Sequence, residues 1–147
     1  MSGDQTPVYR PIWARNELLL AEFEAWLLDD GLKAATAELY ARAIGLFVNR
    51  YLAQGYSQER LPEGATAVAL DSFLGGWHAR KAAGRPNRMK TMIAALKRFY
   101  SFLPQTGRMA DSAAQDILRL LKEERKVYLS RVKQPTTAVA SAARPCR

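Results

Sequence analysis

Apolar residues recur at three- and four-residue steps through most of this chain, and no stretch of useful length alternates apolar and polar residues as a half-buried strand would. The pattern predicts helices throughout. Leu20, Phe23 and Leu27, widened by Leu19 and Trp26, mark a first helix. It is expected to open with Asn16 as its cap and Glu17 in its first turn, and to close at Gly31. Tyr40, Ile44, Phe47, Val48 and Tyr51 mark a second helix over about residues 35–53, ended by Gly55. Glu38, Arg42, Gly45 and Asn49 share its other side. A turn-rich loop over 54–64 follows. Thr66 is placed to cap a third helix with Val68, Phe73 and Trp77 as core residues, in which the Gly75-Gly76 pair signals close packing or a kink. Pro86 suits the first turn of a fourth helix that Pro104 and Gly107 end. Ser112 and Gln115 have the spacing of a capping box before a last helix, docked through Ile117, Leu120, Leu121 and Tyr128.

These elements compose an all-α fold, a small bundle of four to five helices joined by short loops. The 147 residues suffice for one domain with a real core. The helical domain is expected over residues 15–134, with a flexible arm over 1–14 and a disordered tail or the start of a linker over 135–147.

Charge changes the picture. Between Ser72 and Ala110 there is no Asp or Glu, while eight of the 22 cations fall there; the other 14 cations balance the 14 acids. The whole formal net charge of +8 therefore sits in one segment, which points to a polyanionic partner, nucleic acid first and anionic membrane second. The fourth helix carries the centre of that segment. Drawn at about 100° per residue from Pro86, it puts Phe99, Met92, Leu103, Leu96, Met89, Tyr100 and Ile93 on an arc of roughly 120°. Lys97, Lys90, Ser101, Ala94, Asn87, Arg98 and Thr91 fall on the opposite arc. A membrane-surface role is disfavoured because the apolar arc is needed for the core.

Catalytic and metal chemistry find little support. With His78 as the sole histidine and Cys146 as the sole cysteine, a disulfide framework or a Cys/His metal site is excluded within one chain, and no cofactor motif is present. The acidic pairs Asp29-Asp30 and Glu123-Glu124 read as solvated helix positions, and the aromatic residues at helical spacing as core. No signal-peptide pattern opens the sequence, and its most apolar early run is too short to span a bilayer, so a cytoplasmic protein is expected.

Three stretches carry a family likeness: "LLAEFEAWLLDDGLKAATAELYARAIGLFVNRYL", with Thr36 and Tyr40 four apart after a Gly-Leu; "AVALDSFLGGW", after a variable loop; and "NRMKTMIAALKRFYSFLPQTGRM", with its aromatic end and Gly-containing exit. Their order over about residues 16–125 resembles the N-terminal SAM-like core-binding domain of the tyrosine recombinase, or phage integrase, family. Asn87 stands where many relatives have Ser or Thr, and "DSAAQDI" replaces the usual Asn-Pro. The resemblance implies a helical half-clamp on double-stranded DNA whose second and fourth helices approach the major groove and adjoining phosphates. On the fourth helix it implicates Asn87, Arg88, Lys90, Thr91, Lys97 and Arg98; on the second, Thr36, Arg42, Asn49 and Arg50. Lys and Arg would neutralise phosphates and the short polar residues would hydrogen-bond phosphate or base edges.

The family's chemistry resides in a second domain with an arginine clamp and a tyrosine nucleophile, for which this sequence offers no counterpart. No enzyme activity and no catalytic residue are therefore expected. His78 lies in "WHARK", which lacks the family's His-x-x-Arg spacing, and reads as an ordinary surface or groove-facing residue; Tyr128 lacks an arginine clamp that would support a phosphoryl transfer. The expected partners are duplex DNA and a full-length recombinase or a second copy on DNA. An alternative is an interaction module that docks on a recombinase subunit through Leu118, Leu121, Val127 and Tyr128 of the last helix.

Overall fold

A computed structural model describes residues 9–133, and among them every regular element is a helix. The order is α1 (Tyr9–Asp29), α2 (Ala34–Gly45), α3 (Ala67–Ser72), α4 (His78–Lys81), α5 (Pro86–Gln105), α6 (Asp111–Glu123) and α7 (Arg125–Lys133). Two π-helical segments extend these rods: Leu46–Leu52 continues α2, and Phe73–Trp77 joins α3 to α4. A short 3₁₀ turn, Pro62–Gly64, lies in the loop after the first π segment.

The all-α reading holds, and the helix at its centre is α5. Nine of its residues are buried, Met89, Met92, Ile93, Ala95, Leu96, Phe99, Tyr100, Phe102 and Leu103, and α1, α2, α6 and α7 pack around it. The apolar arc drawn from the sequence is the arc that is buried. Phe99 meets Phe23 of α1 edge to face at 5.2 Å, and the Tyr100 hydroxyl donates to the Pro62 carbonyl at 2.9 Å, which pins the long loop to the core.

Several ends behave as predicted. Asp29 is followed by a left-handed Gly31 (φ 96°); Leu32 N–H donates to Leu27 O and Gly31 N–H to Leu28 O, closing a Schellman motif. Gly107 (φ 76°) ends α5 the same way, with Pro104 inside the last turn rather than after it. Thr66 Oγ1 accepts from Ala69 N–H at 3.3 Å, so the cap of α3 is real.

Others differ, each for a packing reason. Tyr9–Ala14, expected in the arm, belong to α1; Pro11 sits near its start, where a missing N–H costs little. What extends the helix is a landing surface that local periodicity does not reveal. Trp13 Nε1 donates to Asn49 O at 3.1 Å, and Asn16 Nδ2 donates to Val48 O at 3.3 Å and to Asn49 Oδ1 at 2.8 Å. Asn16 is thus a fully buried mid-helix residue tied to the first π segment, not a cap. Val68, expected in the core, is 75% exposed, because Ala69, Leu70, Phe73 and Leu74 take the inward positions of that rod. The capping box at Ser112 does not form: Ala110 holds the cap position without a side-chain bond, and Ser112 and Gln115 are exposed. The last helix is divided at Glu124 into α6 and α7, which lets Ile117, Leu121, Tyr128, Leu129 and Val132 all reach the core. The rest of the expected arm, residues 1–8, and the expected tail over 135–147 lie outside the described residues.

The two glycine settings give opposite expectations. Gly31→Ala places a Cβ on a left-handed residue with no atom within 4 Å to compensate, and should cost about 1–2 kcal/mol. Gly76→Ala stays in helical backbone, with Arg80 Nη1 at 3.7 Å the nearest atom, and should gain about 0.5–1 kcal/mol. Chemical denaturation of the two variants checks both signs.

Candidate nucleic-acid interface

The second side of α2 explains where the open surface lies. Its small and polar positions Gly45 and Asn49 read as solvent-facing, yet they seat α1: a Cβ on Gly45 would stand 3.6 Å from Leu20 Cδ1, and Asn49 Oδ1 accepts from Asn16. The side of α2 that remains open is the neighbouring stripe Leu39, Arg42, Ala43, Leu46 and Arg50. Leu39 and Leu46 are each more than 40% exposed there.

Opposite that stripe stands the first half of α5, and the end of the α3–α4 rod closes the angle between them. The three elements enclose an open groove of about 1020 Å³. Arg42 comes from α2, Arg50 from the π segment that continues it, Lys81 from α4, and Arg88 from α5, with Asn87 and Thr91 beside it. No carboxylate lines the groove, and none of these four cations makes an ion pair with a described residue. A floor of Trp77 and His78 and a rim that includes Tyr56 add aromatic surface; Lys81 Nζ lies 5.1 Å from the centroid of the Trp77 ring.

A second, smaller groove of about 460 Å³ continues along the same stripe of α5, lined by Ala94, Lys97, Arg98, Ser101 and Gln105 with Trp26, Asp30 and Tyr40 opposite. Arg98 is paired with Asp30 across it, both being well exposed. Such an exposed pair contributes little to stability. From Asn87 to Gln105 the stripe is roughly 27 Å long at the helical rise.

Five of the ten residues singled out from the sequence, Arg42, Arg50, Asn87, Arg88 and Thr91, therefore converge on the larger groove, and Lys97 and Arg98 line the smaller one. Lys90 is exposed outside both. Thr36 is half-buried in the first turn of α2 and lines neither, and Asn49 is turned to α1. Lys81, Tyr56 and Gln54 line the larger groove without having been singled out, and Trp77, expected in the core, is half-buried and lines it too. The acid-free charge block contained Lys81; nothing in the local pattern of the loop pointed to Tyr56.

His78 is not on the surface. It is 4% exposed, stacked on Phe73 with ring centroids 5.4 Å apart, and forms part of the groove floor. Neither ring nitrogen completes a hydrogen bond; the Arg88 main chain is close enough to be felt at the ring but does not meet hydrogen-bond geometry. Burial lowers its pKa below the ordinary histidine value, the Arg88 main chain offsets part of that, and the Arg88 charge lowers it further. A buried polar group without a partner costs about 1–3 kcal/mol, so this position is held against a local penalty.

The four residues named for the docking alternative are buried to different degrees. Leu121 and Tyr128 are fully buried, Leu118 packs against the core, and Val127 is 40% exposed. The Tyr128 hydroxyl donates to Asp71 Oδ1 at 2.6 Å; burial first, then the Asp71 carboxylate, pushes the phenol above its ordinary value. Its buried hydroxyl is engaged in holding α7 to α3. Among the described residues no helix is long and apolar enough to cross a membrane, and no group of His, Cys, Asp and Glu could hold a metal ion.

No protein-family model, no curated protein and no solved structure matches this chain.

Tyr128→Phe should cost about 1 kcal/mol near neutral pH by leaving Asp71 without its donor. The folded phenol titrates above the unfolded one, so its contribution is fully present below pH of about 10 and is lost as pH rises beyond that. Denaturation curves of wild type and variant should therefore converge in strong alkali.

Proposed function

We propose that this chain is a non-catalytic DNA-binding domain that grips the backbone of duplex DNA with the basic grooves beside α5. The observation that carries the reading is the convergence of Arg42, Arg50, Lys81 and Arg88 from three separate elements on one groove without a carboxylate or an ion pair. Isolated like charges repel, and four of them held on one concave surface favour a polyanion. The length of the α5 stripe matches several base-pair steps of a duplex, and exposed Asn87, Arg88 and Lys90 project at its start.

The manner of binding follows from burial. Nine residues of α5 are committed to the core and α2 flanks it, so α5 is not a protruding helix able to enter a major groove on its own. Contacts run chiefly to phosphates, which position a protein and carry no sequence information. The tie to DNA integration and recombination rests on the likeness of three sequence stretches to the core-binding domain of tyrosine recombinases. In that setting a recombinase subunit, or a second copy on the same DNA, is the proposed protein partner, and the cytoplasm the proposed compartment.

Fluorescence anisotropy with a labelled duplex across a salt series tests the reading. Wild type should lose affinity steeply with salt, at about −0.9 in log–log slope per phosphate neutralised. The Arg42→Glu/Lys81→Glu/Arg88→Glu variant should bind more weakly with a slope shallower by roughly two to three, while Lys122→Glu/Lys126→Glu on α6 and α7 should change little. Equal binding and equal slopes for wild type and the groove variant, with the variant folded, would overturn it.

A further inference from the structure

A column of aromatic rings rises from the core beside the larger groove and ends in the open. Phe47, Tyr51 and Tyr56 lie nearly parallel, with interplanar angles of 16° and 11° and centroids 6.3 and 5.7 Å apart. Phe47 is fully buried, Tyr51 almost so, and Tyr56 is 62% exposed, more than any other described aromatic side chain. Tyr51 stacks on one face of that last ring and Trp77 meets it at a tilt of 56°, so the face away from Tyr51 carries no stacked ring. The backbone fixes its position. Tyr56 N–H donates to Tyr51 O at 3.3 Å and Gly55 N–H to Leu52 O at 3.0 Å around a left-handed Gly55 (φ 90°), a Schellman motif that sets Tyr56 on Tyr51. Arg60 Nη1 donates to Ala53 O at 3.1 Å and ties the loop to the same helix end. The motif asks only for an apolar residue here. It does not account for a ring left open on a groove lined by Arg42, Arg50, Lys81 and Arg88 and by no carboxylate.

Cations alone suit any polyanion, and an open ring alone suits any apolar group. A nucleotide answers both at once, because every base has a face that stacks and each is flanked by phosphates that Arg and Lys hold. Inside a paired duplex the base faces are covered by neighbouring bases, so only an unpaired base can use the ring. At four-residue steps Arg42, Leu46 and Arg50 follow one another along α2 and its π-helical continuation, so on that wall cations flank an apolar residue as phosphates flank a base. The other large ring of the groove is already engaged: Trp77 is stacked by Phe73 at 5.6 Å and has Lys81 Nζ over it. The carboxylates of an acidic peptide would answer the cations equally, but nothing in such a peptide need match a flat ring at the end of a column. We propose that the groove takes up one unpaired nucleobase, stacked on the open face of Tyr56, with its flanking phosphates among Arg42, Arg50, Lys81 and Arg88. The base can belong to a single strand or be extruded from a duplex. The proposal rests on reading this groove as a DNA-binding surface, not on the DNA being fully paired.

Fluorescence anisotropy of the full-length chain would compare a paired duplex, the same duplex with one unpaired adenine, and a short oligo-dA strand, the last two also made with abasic residues in place of the unpaired bases. Wild type should bind an unpaired-base probe about five- to a hundredfold more tightly than its abasic counterpart, the range one base–aromatic stack supplies. Tyr56→Leu keeps an apolar side chain on Tyr51 and should erase that preference, while leaving paired-duplex affinity and its salt slope nearly unchanged. Tyr56→Phe should retain the preference, and thermal melts show that both variants fold. The coupling between loss of the base and loss of the ring is a quantity that a merely looser DNA backbone cannot imitate, and the wild-type comparison of base with abasic residue needs no variant. A ring-dependent preference in the duplex supports an extruded base as the occupant. The same preference in the strand, with no binding of the paired duplex, supports a single-stranded occupant and overturns the duplex reading alone. Salt-dependent duplex binding without any preference for base over abasic residue, or with one that survives Tyr56→Leu, overturns this proposal and leaves the DNA reading standing. No binding of any DNA probe overturns both, and capture of a Glu- and Leu-rich peptide in its place would give the groove to an acidic protein segment.

Discussion

The structure depends on one helix serving two solvents. α5 fills the centre of the domain with nine buried side chains, and its opposite stripe must still be wetted, because Lys and Arg cannot be buried without partners. That constraint fixes the arrangement of the rest. α1, α6 and α7 can crowd the apolar arc, but a neighbour that closed over the basic stripe would strand its charges. α2 approaches from the side and stops short, and the gap it leaves is the pair of grooves. A cleft of this origin is polar on one wall by necessity and apolar on its floor because the core lies directly beneath.

The two π-helical segments serve the same geometry. Each wide turn takes an extra residue, which lets Phe47 and Tyr51 from one segment and Phe73 from the other form a joint aromatic cluster with centroid separations of 4.8 and 5.0 Å. Trp77 and His78 follow directly from that cluster and become the groove floor. The carbonyls of the first segment are in turn held by Trp13 and Asn16 of α1. Core packing, an irregular backbone and the groove floor are thus one continuous structure, and a substitution in the aromatic cluster would be felt at the site.

Electrostatics divide the cations into two kinds. Arg98 and Arg108 are answered by Asp30, in the turn after α1, and by Glu22 of α1, so part of the charge excess of the acid-free segment is neutralised by tertiary pairing. Arg108 also lies over the Phe102 ring at 5.1 Å. Arg42, Arg50, Lys81 and Arg88 have no such answer among the described residues, and they are the ones that face each other. A count of charges along the sequence sees both kinds alike; the pairing that distinguishes them joins residues far apart in the chain.

The sequence by itself determined the helical class, the buried arc of α5, the Gly31 and Gly107 ends, the Thr66 cap and the segment in which the positive charge collects. All of these follow from short-range rules: a helical period, a left-handed residue that glycine tolerates, a hydroxyl one turn from an N–H. Tertiary structure decided which of two polar-looking sides of α2 stays open, since Gly45 and Asn49 could be known as a seat for α1 only once α1 was placed. It decided that Asn16 would serve another helix's carbonyls rather than its own N-terminus, that Val68 would face outward, and that His78 would be buried in the groove floor. Each of these turns on which surface arrives opposite a residue, and that depends on all the helices packing at once.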